Sequence, residues 1–159
     1  GNSAFNGCTK LFSISLPACT SVGAYAFSNC TSLTSLTLPN CSTFGTGVIS
    51  GCTNLSTLKV GLTAVASSAF LNYTNLKAVT LYSCSRINTR AFSGCTNLSN
   101  LILMSTNLCV LGASNAIADT MLSTTGMIYV PSSLVTSYKT AANWSYFSSR
   151  ITGIVDSTS

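Results

Sequence analysis

Eight cysteines, at positions 8, 19, 30, 41, 52, 84, 95 and 109 of a 159-residue chain, are the side chains best suited to chemistry. Thiols ligate metals, attack electrophiles or form disulfides, and each role makes its own demand on spacing and neighbours. The first five recur every eleven residues. None forms a C-x-x-C pair, and the chain has no histidine to complete a zinc set. The same lack of histidine removes any Cys–His or Ser–His nucleophile–base pair. Paired carboxylates would have to be Asp119 and Asp156, one in an irregular stretch and the other in the tail, which is a poor basis for acid–base work. The glycines of NGC and SGC recur with the cysteines and read as turn residues rather than a phosphate loop. Serine–lysine chemistry is left open by the many serines. The expectation is a chain that is not an enzyme and carries no cofactor or metal.

Charged residues make up 6% of the chain, against an ordinary quarter. Serine and threonine, 27 and 22 in number, fill the gap, so water meets hydroxyls and amides rather than charge. Net charge is +5, from Lys10, Lys59, Lys77, Arg86, Arg90, Lys139 and Arg150. These are scattered and not interleaved with aromatic residues, so no nucleic-acid partner is expected. No apolar run approaches the roughly 18 residues of a membrane span, and no membrane insertion is expected. The chain opens at Gly1 without a leader; that start reads as a piece cut from a longer protein, and it says nothing about where the parent resides.

The cysteine rhythm is part of a larger one. AF-NGCTKLFSISLP begins at Ala4, AF-SNCTSLTSLTLP at Ala26, VI-SGCTNLSTLKV at Val48, AF-LNYTNLKAVTL at Ala69 and AF-SGCTNLSNLIL at Ala91, at offsets of 22, 22, 21 and 22 residues. Each unit carries L-x-x-L-x-L: Leu11, Ile14, Leu16; Leu33, Leu36, Leu38; Leu55, Leu58, Val60; Leu76, Val79, Leu81; Leu98, Leu101, Leu103. The end of that motif alternates in-out-in, as a strand with one buried face does. Ala-Phe followed by Cys predicts a short helical turn pressing one side inward. Pro17 and Pro39 close their strands. One unit cannot bury its apolar face alone, so stacking is required, with equivalent strands about 4.8 Å apart in a parallel sheet.

The AF-x-x-C-T-x-L-x-x-L-x-LP cycle, with an apolar residue at Val22, Phe44 and Ile87, resembles the BspA-type leucine-rich repeats. The resemblance covers Ala4 to about Leu111, and recurrence makes it specific. It implies an α/β solenoid of about five coils of 21–22 residues, then a degenerate sixth coil and a C-terminal helical cap. Residues 1–111 would be the repeats and 112–159 the degenerate repeat and cap, in one continuous domain. Val48-Ile49 for Ala-Phe, Tyr73 for Cys, and Gly61-Leu62 after the third strand depart from the pattern. They mostly keep bulk and are expected to leave the coils intact.

Past Leu111, Ile128, Val130 and Pro131 align with Ile14, Leu16 and Pro17 as a sixth strand. SSLVTSYKTAANW follows, with Leu134, Tyr138 and Ala141 at helical spacing and a serine N-cap predicted. IYVP through NWSYFSSRI resembles the end-piece that closes solenoids in this family. Trp144, Tyr146 and Phe147 are expected to cover the last coil, a sugar-stacking platform being the sharper alternative. At the other end, Ala4 and Phe5 would leave an apolar cross-section bare, which predicts upstream repeats or a self-partner there.

Cys8, Cys30, Cys52 and Cys95 then follow the Ala-Phe turn, while Cys19, Cys41 and Cys84 fall after the strand. In the latter position leucine-rich repeats place Asn or Cys facing backbone amides. Stacked pairs such as Cys8 and Cys30 meet the ~4.4–6.8 Å Cα span of a disulfide, but parallel side-chain vectors suit the bond poorly. Free buried thiols acting as small hydrophobes are expected.

Outward strand positions form the candidate binding face. One column holds Ser13, Ser35, Thr57, Ala78 and Asn100; the other holds Ser15, Thr37, Lys59, Thr80 and Ile102. Ala78, Lys59 and Ile102 break the regular hydroxyl array that ice binding would need. The resemblance implies a non-catalytic adhesion or ligand-binding module of a bacterial cell-surface protein, located at the cell surface or outside it. Its partner would be a surface protein or glycan of a host or neighbouring cell. A phage virion decoration or receptor-binding domain, located on the virion, and a structural spacer are the alternatives.

Overall fold

The computed structural model describes residues 1–117 and 125–155. The first five coils each give one longer strand and one two-residue strand. These are β1 (Ser13–Ser15) and β2 (Ser21–Val22), β3 (Ser35–Leu38) and β4 (Thr43–Phe44), β5 (Thr57–Val60) and β6 (Ala64–Val65), β7 (Ala78–Leu81) and β8 (Arg86–Ile87), and β9 (Asn100–Leu103) and β10 (Val110–Leu111). A sixth coil gives β11 (Met127–Pro131), and the tail adds β12 (Ile151–Ile154). The longer strands make one parallel seven-stranded sheet in the order β1-β3-β5-β7-β9-β11-β12. The short strands form a second parallel sheet in two pieces, β2-β4 and β6-β8-β10.

Alternation along the strands follows the sequence. In β3, Leu36 and Leu38 are fully buried while Ser35 and Thr37 are half-exposed. Leu58, Val79, Leu101 and Ile128 repeat the Leu36 position, each in register with the last. The same residues in the first coil, Leu11, Ile14 and Leu16, are only half-buried, with one neighbour instead of two.

The segment carrying Ala-Phe is not helical. Each of the first five coils has two left-handed residues four apart there: Ser3 and Gly7, Tyr25 and Asn29, Gly47 and Gly51, Ser68 and Asn72, Arg90 and Gly94. A helix cannot propagate through positive φ, so the predicted helical turn becomes an irregular one. The second of these positions is always Gly or Asn, the residues that tolerate it. At Gly51 a Cβ would also strike Asn29 Oδ1 of the preceding coil, at 2.5 Å.

These turns stack as a third ladder. The Tyr25, Phe27 and Asn29 amides donate to the Thr46, Val48 and Ser50 carbonyls of the next coil, and Ser68, Phe70 and Asn72 donate to Thr89, Ala91 and Ser93. Side chains add further rungs. Asn54, Asn75 and Asn97 donate through Nδ2 to the carbonyls of Thr31, Thr53 and Thr74. Thr34, Ser56 and Ser99 hydroxyls donate to Phe12, Thr34 and Lys77 carbonyls. Much of the serine, threonine and asparagine therefore ties coil to coil by capping carbonyls that the ladders leave free.

The cap begins with a 3-10 turn, Ser132–Leu134, followed by helix α1 (Val135–Thr140) and a second 3-10 stretch, Trp144–Arg150. The predicted serine N-cap is corrected: the helix starts after Leu134 with no side-chain cap, and the Ser132 hydroxyl donates instead to the Ile154 carbonyl of β12. That strand is a further addition to the expected end-piece. Ile151 to Ile154 pair with Ile128 to Pro131 and extend the sheet by one strand. Trp144 and Phe147 are buried against the last coils, but Tyr146 is 68% exposed and covers nothing.

Candidate binding face

Sheet register brings the two predicted columns together as straight rows. Ser13, Ser35, Thr57, Ala78 and Asn100 are consecutive partners, as are Ser15, Thr37, Lys59, Thr80 and Ile102. Successive parallel strands put these side chains about 4.8 Å apart along the solenoid axis. Ser13, Ser15 and Lys59 are exposed, and Ser35, Thr37, Thr57, Ala78, Asn100 and Ile102 are half-buried. Thr80 departs from expectation. It is 7% exposed, lying in register between the longer Lys59 and Ile102 side chains, so it is a poor contact residue.

Both rows run further than the predicted set. Met127 continues the first beside Asn100, and Tyr129 and Thr152 continue the second beyond Ile102. The alternation in MIYVP is the signal for Met127 and Tyr129, because aligning Ile128 and Val130 inward turns their neighbours outward. Thr152 had no such signal. The face therefore grades from serine at the first coil, through hydroxyls and Lys59, to Ile102, Met127 and Tyr129 at the last. It offers hydroxyl donors and acceptors, one ammonium and an apolar end, and no nucleophile–base pair lies among these residues.

The cysteines lie away from this face. All eight are free, with Cys8 and Cys19 half-buried and the rest buried. Cys30, Cys52 and Cys95 donate through Sγ to the carbonyls of Phe5, Phe27 and Phe70 in the preceding coil, at 3.0–3.1 Å. Cys19, Cys41 and Cys84 donate to the carbonyl two residues further on, at 3.2–3.3 Å. Backbone hydrogen bonds from Thr43 and Val22 to Cys41 and from Arg86 and Val65 to Cys84 favour the ionised sulfur, so these two thiols also face backbone amides as expected. Burial pushes the Cys52 and Cys95 thiols from 9.0 up to about 11, which suppresses the thiolate. Cys84 and Cys109 approach to 3.8 Å between sulfurs; that hydrogen bond lowers Cys84 and raises Cys109. Both remain out of solvent's reach. Asp119 and Asp156, the carboxylates weighed for acid–base work, lie outside the described residues.

Stability should record the raised thiols. Their folded pKa values exceed the ordinary 9.0, so the neutral form is favoured by folding, and the unfolded chain ionises first. The contribution is complete below about pH 9 and is lost as pH rises toward about 11. Tyr73 and Tyr138, raised by burial from 10.0 to about 12, extend the loss upward. The urea midpoint in reducing buffer is expected to be flat through neutral pH and to fall across that alkaline window. A constant midpoint there would contradict the thiol burial described.

The family whose pattern fits is the BspA type leucine rich repeat region, matched in six copies over residues 1–122. The chain belongs to that family. No curated protein matches the sequence. The BspA-type repeats account for the turn, strand and cysteine positions that recur in each coil, and the match ends before β11 and the cap. Proteins of this family are built from repeat modules, often with a surface or binding role. Among the described residues no helix is long and apolar enough to cross a membrane.

Proposed function

We propose that this chain is a non-catalytic recognition module that uses the outward face of its seven-stranded sheet to hold a protein or glycan on a host or neighbouring cell. The parent would be a bacterial surface protein and the role adhesion. One observation carries the reading: outward residues from consecutive strands fall into two unbroken rows across the sheet. A continuous ruled surface of this kind contacts a partner over many coils at once, so weak single contacts add.

The rows centre on Thr57 and Lys59, and both face outward from β5. The double variant T57R/K59E exchanges the ammonium at 59 for a carboxylate, takes the local charge from +1 to zero and adds bulk at 57 without touching the core. Fluorescently labelled chain is expected to bind epithelial cells or their extracellular matrix, and the double variant to lose at least about tenfold in affinity. Circular dichroism and the urea midpoint should match wild type, because outward positions away from the core seldom shift stability much. Equal binding by the two proteins would remove the face from the reading; absence of binding to cells, matrix and a glycan array would remove adhesion.

A further inference from the structure

The coils are not evenly stacked. The short-strand sheet stops at β4 and resumes at β6, and the turn ladder stops at the same seam. At the equivalent positions Gly47, Ile49 and Gly51 should donate to Ser67, Ala69 and Leu71. Among the described residues, those three amides and three carbonyls have no hydrogen-bond partner in the chain. Between the two lips lies a cleft of about 700 Å³, within the roughly 300–1,000 Å³ typical of ligand pockets. A recess of about 300 Å³ continues along the seam beside Cys52 and Tyr73. Ala69, on one lip, is exposed, whereas its counterparts Ala26 and Ala91 are buried. The seven-stranded sheet remains paired through β5 and β7, so the solenoid opens as a wedge on the other side only.

Sequence explains the wedge. In the second, third and fifth coils a cysteine thiol bonds the carbonyl of the preceding coil's Phe. In the fourth coil Tyr73 replaces that cysteine, and its Oη donates to the Ile49 carbonyl at 2.7 Å. A phenol reaches much farther than a thiol, so the carbonyl it bonds is held farther off. The stacked phenylalanines break there too. Phe5 stacks on Phe27 and Phe70 on Phe92, with Ile49 interrupting the column.

We propose that this cleft binds an extended, uncharged peptide segment of a partner, whose backbone completes the interrupted ladder. A row of free amides on one lip and a row of free carbonyls on the other is the complement of an extended chain, which offers both groups along each edge. A sugar has hydroxyls but no fixed register with two such rows. No charged side chain lines the cleft, so a charged peptide would be desolvated without compensation. Inward-facing ligand residues would meet Phe44 on one lip and Ala66 and Ala69 on the other, so the segment should alternate apolar with small polar residues.

The test is a random decapeptide display library panned on the full chain, with amide hydrogen exchange on the peptides recovered. Enriched peptides are expected to be uncharged and alternating, and to slow exchange of the Gly47, Ile49 and Gly51 amides by at least about tenfold. Tyr73→Cys, which restores the residue of the other coils, is expected to close the seam and weaken binding by about tenfold or more. The double variant V48A/I49F restores Ala-Phe and serves as a second closing variant, both being sequences this fold already uses. The proposal fails if no peptide is enriched, if enriched peptides leave those amides unprotected, or if they bind both closing variants as tightly as wild type. Protection by maltoheptaose but by no peptide would assign the cleft to a glycan instead.

Discussion

Trp144→Ala is expected to lower the unfolding free energy by about 3–5 kcal/mol, the range for deleting a large buried aromatic. The indole is fully buried and does two jobs. It packs edge-on against Tyr138, with ring centroids 5.2 Å apart, and its Nε1 donates to the Cys109 carbonyl at 2.7 Å. Tyr138 Oη accepts from the Cys109 amide at 2.9 Å, so the cap satisfies both backbone groups of one buried residue. Truncating the indole leaves a cavity and strands the carbonyl, and a buried acceptor without a partner costs about 1–3 kcal/mol by itself. Tyr146→Ala, two residues on but exposed, is expected to stay within about 0.5 kcal/mol. Urea unfolding of the two variants reads the difference. Equal midpoints would mean that the aromatic cluster does not close the solenoid.

The contrast between those residues shows what the sequence could reveal. Trp144, Tyr146 and Phe147 are all large aromatics on paper, and only the 3-10 geometry decides that two face inward and one outward. Strand positions were legible because period-2 alternation and a 22-residue repeat report the same facts twice. The Ala-Phe turn was misread because its spacing suits a helix, whereas the left-handed residues that prevent one include Ser3, Tyr25, Ser68 and Arg90, types that give no conformational signal. The serine N-cap failed because β12 competes for the Ser132 hydroxyl, and a strand in the tail has no repeat to announce it.

The cleft was hidden for a different reason. Tyr73 for Cys and Val48-Ile49 for Ala-Phe are written in the sequence, but within one coil they look like exchanges of one apolar group for another. Their effect lies between coils, where side-chain length sets the gap. The candidate binding face stands midway. Register placed every predicted residue in its row, but the exposure of each depends on the neighbour above and below, which is how Thr80 becomes buried between Lys59 and Ile102.

Leu36→Ala and Thr37→Ala separate the two sides of the sheet at adjacent positions. Leu36 is fully buried in register between Ile14 and Leu58, so its truncation is expected to cost about 2–5 kcal/mol. Thr37 sits in register between Ser15 and Lys59 on the outward side, and its loss is expected to cost about 0.5 kcal/mol or less. In a stack where each coil touches only its neighbours, the cavity at Leu36 weakens the interfaces on both sides. The first coil, half-buried already, should then detach before the rest. Hydrogen exchange on Leu36→Ala is therefore expected to quicken first at the β1 amides and those of β3, with β9 and β11 keeping their protection. Comparable losses from the two substitutions would reverse the inward and outward assignment. A uniform rise in exchange across all coils would replace nearest-neighbour coupling with a single cooperative unit.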